Sequence, residues 1–141
     1  MGGPFVSDEM FDIVVKYVEK KLKSGHTGVV VVRDLETEQR YKGLVKEIHT
    51  QWVQPNWMTS NDMIRTATRF DAEAGTRLID WPLYRTLLLE KCMKQWDVVD
   101  EASKPVPCTK ENIARLDPNI GAALVDDFLA KTTPTEKELG E

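Results

Sequence analysis

The first regular pattern in the chain is an apolar stripe. Phe11, Val14, Val15, Val18 and Leu22 recur at i, i+3, i+4, i+7 and i+11, and Lys16, Lys20, Lys21 and Lys23 occupy the opposite side. That spacing predicts an amphipathic helix, with Ser7 as its cap, Asp8 and Glu9 in its first turn and Gly25 as a left-handed stop. The lysines read as a solvated face. Next, four consecutive valines follow Gly28 and predict a strand over 29–33 with apolar cover on both faces.

The segment after that strand supports two readings. "RYKGLV" at 40–45 could return as the second strand of a hairpin over the polar "DLETEQ". Alternatively Asp34 caps a helix carrying Leu35, Tyr41, Leu44, Val45 and Ile48. Residues 62–79 are also double-valued. Met63, Ala67, Phe70 and Ala74 have helical spacing, but Thr66, Thr68 and Thr76 around Gly75 favour a hairpin of 66–70 against 76–79.

The strongest helical pattern starts at Asp80 as cap, with Pro82 in the first turn and an apolar face from Tyr84 through Leu87, Leu88, Leu89, Cys92 and Met93 to Trp96. Cys92 is expected to be a small buried hydrophobe within it. An acidic turn and an extended Pro-Val-Pro return follow. Thr109 then caps a short helix with Ile113 and Leu116, and Asp117-Pro118 opens a last helix bearing Ile120, Ala123, Leu124 and Phe128. "TTPTEKELGE" has no apolar periodicity and is expected to be a disordered polar tail. These elements predict an α+β chain: a small, mainly helical single domain over 1–131 with one or two short β-hairpins, and a polar tail over 132–141.

Between the two halves lies "TQWVQPNWMTSN", a loop by its proline and small polar residues. Trp52 and Trp57 are unusual in such a loop. Either the indoles fold back onto the domain, or Trp52, Val53, Trp57 and Met58 form a partner-binding patch.

Composition narrows the chemistry. A net charge of −4 and a pI near 5.3 argue against nucleic acid as a partner. Cys92 and Cys108 are too few for a disulfide framework, and no run of apolar residues suggests a membrane span, so a soluble protein of a reducing compartment is expected. His26 and His49 fall in no metal-ligand spacing, and nucleophile-elbow, dinucleotide and phosphate-loop motifs are lacking. Adjacent acids such as Asp100 with Glu101 and Asp126 with Asp127 read as solvated. The expectation is a protein that is not an enzyme and needs no metal or cofactor.

The order "IDWPLYR…LL…CMKQWDVVDE…KPVP.T.ENI..LDP.I…L…F", from Ile79 to Phe128, resembles the C-terminal half of the small tail assembly chaperones and related morphogenesis proteins of long-tailed bacteriophages. The likeness covers a little over a third of the chain, and its motifs are turn and packing signals. Family members usually carry glycine in the acidic turn. Ser103 stands near that place here, which suggests a turn without positive φ. The resemblance implies a non-catalytic role in the host cytoplasm: binding the phage tape measure protein and tail tube protein during morphogenesis, with homo-oligomerisation possible. Two other roles fit the same composition, a structural virion subunit such as a connector or tail completion protein, and a small regulatory protein that binds a host factor.

Overall fold

The computed structural model describes residues 4–134. Its elements are, in order, β1 (Phe11–Lys21), β2 (Thr27–Val32), α1 (Leu35–Arg40), β3 (Lys46–Trp52), α2 (Trp57–Ala67), β4 (Thr68–Asp71), β5 (Thr76–Ile79), α3 (Trp81–Cys92), β6 (Met93–Trp96), α4 (Lys110–Ile113) and α5 (Pro118–Thr132). An antiparallel sheet of order β2-β1-β3-β6 forms one layer, and β4-β5 make a separate two-stranded sheet. The expectation of a mainly helical domain is therefore corrected. The described residues are mixed α+β, with six strands in two antiparallel sheets, five helices and 37% helical content.

The largest departure is at the first element, where the expected helix is the long central strand β1. The same letters hold a second periodicity: Phe11, Ile13, Val15 and Tyr17 alternate, and their strand partners on β3 are Trp52, Thr50, Ile48 and Lys46. Ile13 and Val15 enter the main core. Ile13, Val14, Val15 and Val18 are stiff at χ1 and suit a pleated surface. With β2 on one side and β3 on the other, tertiary pairing decided between the two patterns. Ser7 caps nothing helical; its hydroxyl accepts from the Glu9 N–H. Gly25 does take a positive φ of 89°, but in the β1–β2 turn, closed by Leu22 and His26.

The opposite face of β1 is covered only in part, since Val14 and Val30 remain exposed on it. Val18 and Val32 are buried there, apart from the main core, and on the same side Lys16 reaches Glu38 of α1 at 2.8 Å. Asp34 does cap α1, accepting from the Thr37 N–H at 2.7 Å, which holds its carboxyl below the usual range. That helix ends by Arg40, Gly43 turns the chain at φ 84°, and Ile48 belongs to β3. The hairpin reading of 34–49 is thus corrected, since 40–45 forms no strand and β2 pairs with β1 instead, and the helical reading holds only for Leu35–Arg40.

The helices α5 and α3 pack on the other face of the sheet, and α2 packs on α3. Phe128 of α5 stacks on Trp52 (centroids 4.7 Å apart) and on Phe11 (5.9 Å). Asp80 caps α3 as expected, accepting from Leu83 N–H, but the helix stops at Cys92 and passes directly into β6. Lys94 and Gln95 are good helix formers. The open edge of β3 overrides them, pairing Trp52 with Met93 and Thr50 with Trp96 across a local register shift.

Trp96 is therefore a strand residue, half-buried, lining a cleft of about 620 Å³ with Leu116 and donating its indole N–H to the Val106 carbonyl at 2.6 Å. In the acidic turn, Asp100 accepts from the N–H groups of Ala102 and Lys104, and Ser103 has a φ of 60°. The expectation of a turn without positive φ is corrected: serine here takes the left-handed conformation that glycine adopts without strain. Thr109 and Asp117 cap α4 and α5 as expected. Of the C-terminal stretch 132–141, Thr132 closes α5, and residues 135–141 lie outside the described residues. Among the described residues, no helix is long and apolar enough to cross a membrane.

Candidate protein-binding surface

The four residues of the expected patch are not on one surface. Trp52 is the last residue of β3 and has 0% of its surface exposed. Its indole N–H donates to Thr50 Oγ1 at 2.7 Å, and that hydroxyl donates to the Ile13 carbonyl, also at 2.7 Å. Val53 is half-buried and its N–H donates to the Cys92 carbonyl. Past Pro55 the chain changes direction. Asn56 caps α2, accepting from the Thr59 N–H at 2.9 Å, and this places Trp57 and Met58 in the first helical turn, 82% and 72% exposed.

Helical spacing extends that exposed end into a broader surface. Trp57, Asn61 and Ile64 follow i, i+4, i+7, and the next step along this face is Thr68, where helix becomes strand without a loop. Thr68 Oγ1 donates to the Ile64 carbonyl, and the Asp80 N–H donates to the Ala67 carbonyl at 2.7 Å, so both ends of the β4–β5 hairpin are fastened to the helical layer. At the tip, Asp71 accepts from Glu73 and Ala74 N–H groups, and Gly75 takes a φ of 67°. The hairpin reading of 62–79 is correct for 68–79, and the helical reading for the residues before it.

Between α2 and the hairpin lies a cleft of about 370 Å³ lined by Asn61, Ile64, Arg65, Thr68, Phe70 and Arg77. Phe70 and Arg77 are directly opposed across the strand pair. Phe70 is 68% exposed, and on the hairpin's other face Leu78 is exposed as well. A two-stranded sheet is at best marginal in water by itself. This one carries apolar side chains that the described residues leave uncovered.

Charge is uneven around the cleft. Arg65 pairs with Asp62 at 3.4 Å and Arg69 with Asp80, whereas Arg77 makes no ion pair with a described residue. Asp71 and Asp80 also serve the backbone, one in the turn and one as helix cap.

The reactive side chains lie elsewhere and are dispersed. His26 is near Ser24 (3.1 Å) and His49 near Glu47 (2.9 Å), and both residues are exposed. Cys92 sits in the core, where burial pushes its thiol up to about 11, and burial also raises half-buried Cys108. Among the described residues no three His, Cys, Asp or Glu side chains gather in a way that could hold a metal ion, and every buried side-chain polar atom has a hydrogen-bond partner.

The sequence singles out Trp57 and Met58, which are exposed, but not Ile64, Phe70, Arg77 and Leu78. A signal was available. Phe70 and Leu78 flank a short Asp-to-Gly turn at positions that face opposite ways, so strands this short could not bury both. No protein-family model, no curated protein and no solved structure matches the chain.

Proposed function

We propose that the chain is a non-catalytic protein-binding factor that docks its partner on the surface formed by α2 and the β4–β5 hairpin. The observation that carries this reading is the exposure of Trp57, Met58 and Ile64 along α2 and of Phe70 on the adjoining β4, with Ile64 and Phe70 meeting in one cleft. Large aromatic and thioether side chains give contact area and adaptability at low entropic cost. Soluble chains seldom leave such groups uncovered together.

The phage resemblance gives this activity its specific form. In that reading the chain is a tail assembly chaperone of the host cytoplasm, and the bound segments belong to the tape measure protein and the tail tube protein. Net charge of −4 keeps the free protein dispersed while its apolar surface waits.

Co-expression with each candidate partner tests the proposal. Trp57→Ala with Phe70→Ala is expected to weaken capture by about 2 kcal/mol or more, the scale of an interface hot spot, with circular dichroism unchanged. Normal binding by that variant would move the interface elsewhere. Mass spectrometry of purified particles separates the roles further: a chaperone is absent from them, and a connector or completion subunit is retained.

A further inference from the structure

Resting on the reading of this surface as a protein-docking site, we infer that the cleft between α2 and the β4–β5 hairpin recognises an apolar residue flanked by a carboxylate on an amphipathic segment of the partner. Three observations carry it. The first is size. About 370 Å³ suits one or two side chains rather than a folded body, and Ile64 and Phe70 supply its apolar walls.

The second is charge. Arg65 and Arg77 line the cleft, and no acid does. Of the three arginines on α2 and the hairpin, Arg65 and Arg69 are matched by Asp62 and Asp80 within the chain, leaving Arg77 exposed without an ion-pair partner among the described residues. A guanidinium is weakly hydrated and offers a planar fork that fits a carboxylate with two parallel hydrogen bonds. The third is geometry. Arg77 lies directly opposite Phe70, so apolar contact and cation are separated by one strand-to-strand step, about 5 Å. A ligand meeting both must carry its acid beside its apolar group.

A bilayer surface is the other source of apolar and anionic contact, and two features oppose it. The site is a cleft rather than a protruding patch, and the net charge of −4 works against approach to an anionic surface. The occupant assigned here is a peptide segment.

Two fluorescein-labelled model helices with the same Leu and Phe face, one flanked by Glu and one by Lys, provide the probe. By fluorescence anisotropy at low salt, the Glu helix is expected to bind at least ~10-fold more tightly, with the gap narrowing as salt rises. Arg77→Gln should remove the preference and Arg77→Lys retain part of it. Arg115→Gln, the same charge change on another face, should leave it intact. Equal binding of the two helices, binding of neither, or equal losses in Arg77→Gln and Arg115→Gln would overturn the assignment. Binding to phosphatidylserine–phosphatidylcholine vesicles that depends on Arg77 would overturn it in favour of a membrane. The tape measure protein is measured in parallel. If it binds while the Glu preference is absent, the carboxylate assignment alone fails; if the preference holds and it does not bind, the tail-chaperone reading alone fails.

Discussion

Trp52 donates its indole N–H to Thr50 Oγ1 over 2.7 Å, and the two residues lie two apart on the same face of β3, wholly inside the core. The Thr50 hydroxyl in turn donates a hydrogen bond to the Ile13 carbonyl on β1. Two successive hydrogen bonds through three residues thus join two central strands at the point where Phe128 stacks on the indole. Thr50→Val keeps the shape but leaves the indole N–H without an acceptor. That should cost about 1–3 kcal/mol in urea denaturation, the penalty for a buried unsatisfied donor, with Thr50→Ser recovering most of it. An unchanged midpoint in Thr50→Val would show that the bond contributes nothing.

Trp52 and Trp57, five residues apart, should behave oppositely. Trp52→Ala removes a core aromatic and is expected to cost about 3–5 kcal/mol. Trp57→Ala should shift stability by less than ~0.5 kcal/mol, as for a surface site away from special features. Acrylamide quenching gives a second reading: Trp57→Phe should remove the most accessible part of the emission, and Trp52→Phe should leave it.

The contrast shows which parts of the fold were legible in sequence. Caps worked where a side chain closes its own turn: Asp34, Asp80, Thr109 and Asp117 all do so, because such contacts are local. The β4–β5 turn was readable for the same reason. The stretches Phe11–Lys21 and Met93–Trp96 were not, since their strand form depends on partners tens of residues away, and the letters at 11–22 satisfy both periodicities. Trp52 and Trp57 looked equivalent because proline and asparagine between them mark a break without saying which side joins the sheet. The cleft was invisible because its walls come from a helix and a hairpin that the same letters could have merged into one helix.

The two thiols should separate chemically. Cys92 lies in the core and Cys108 is half-buried, so Ellman's reagent should modify Cys108 first, with Cys92 reacting at the rate of unfolding. Cys92 also predicts an alkaline limit. Below its ordinary value of 9.0 the thiol is protonated in both states and stability is independent of it; as pH rises from there to about 11, the unfolded chain loses the proton while the native chain retains it. Stability should therefore fall across that window, by roughly 2–3 kcal/mol if the whole difference is realised. Cys92→Ala, less stable at neutral pH from its cavity, should show a shallower slope between pH 9 and 11.

Trp96 anchors the extended segment that follows the acidic turn. Trp96→Phe keeps much of the apolar contact but removes the donor to the Val106 carbonyl, which can turn to water at the cleft. The expected loss is about 1 kcal/mol, the net value of an ordinary hydrogen bond. Hydrogen exchange should show the effect concentrated at the Val106 amide, which donates to Val98, rather than across the central sheet.

The fastening of Ala67 to Asp80 makes the hairpin a closed excursion: the chain leaves the helical layer and returns within one hydrogen bond of where it left. Ile79 at its root packs against the core, while Phe70 and Leu78 further out do not enter it. Residues 69–78 are thus a replaceable cassette. Exchanging them for a short glycine-containing turn should leave the rest of the domain folded, and a longer or differently charged finger could be fitted at the same root. On the proposal that this surface docks a partner, its choice of partner is free to drift without the slow constraint that a packed interior imposes on every residue it contains.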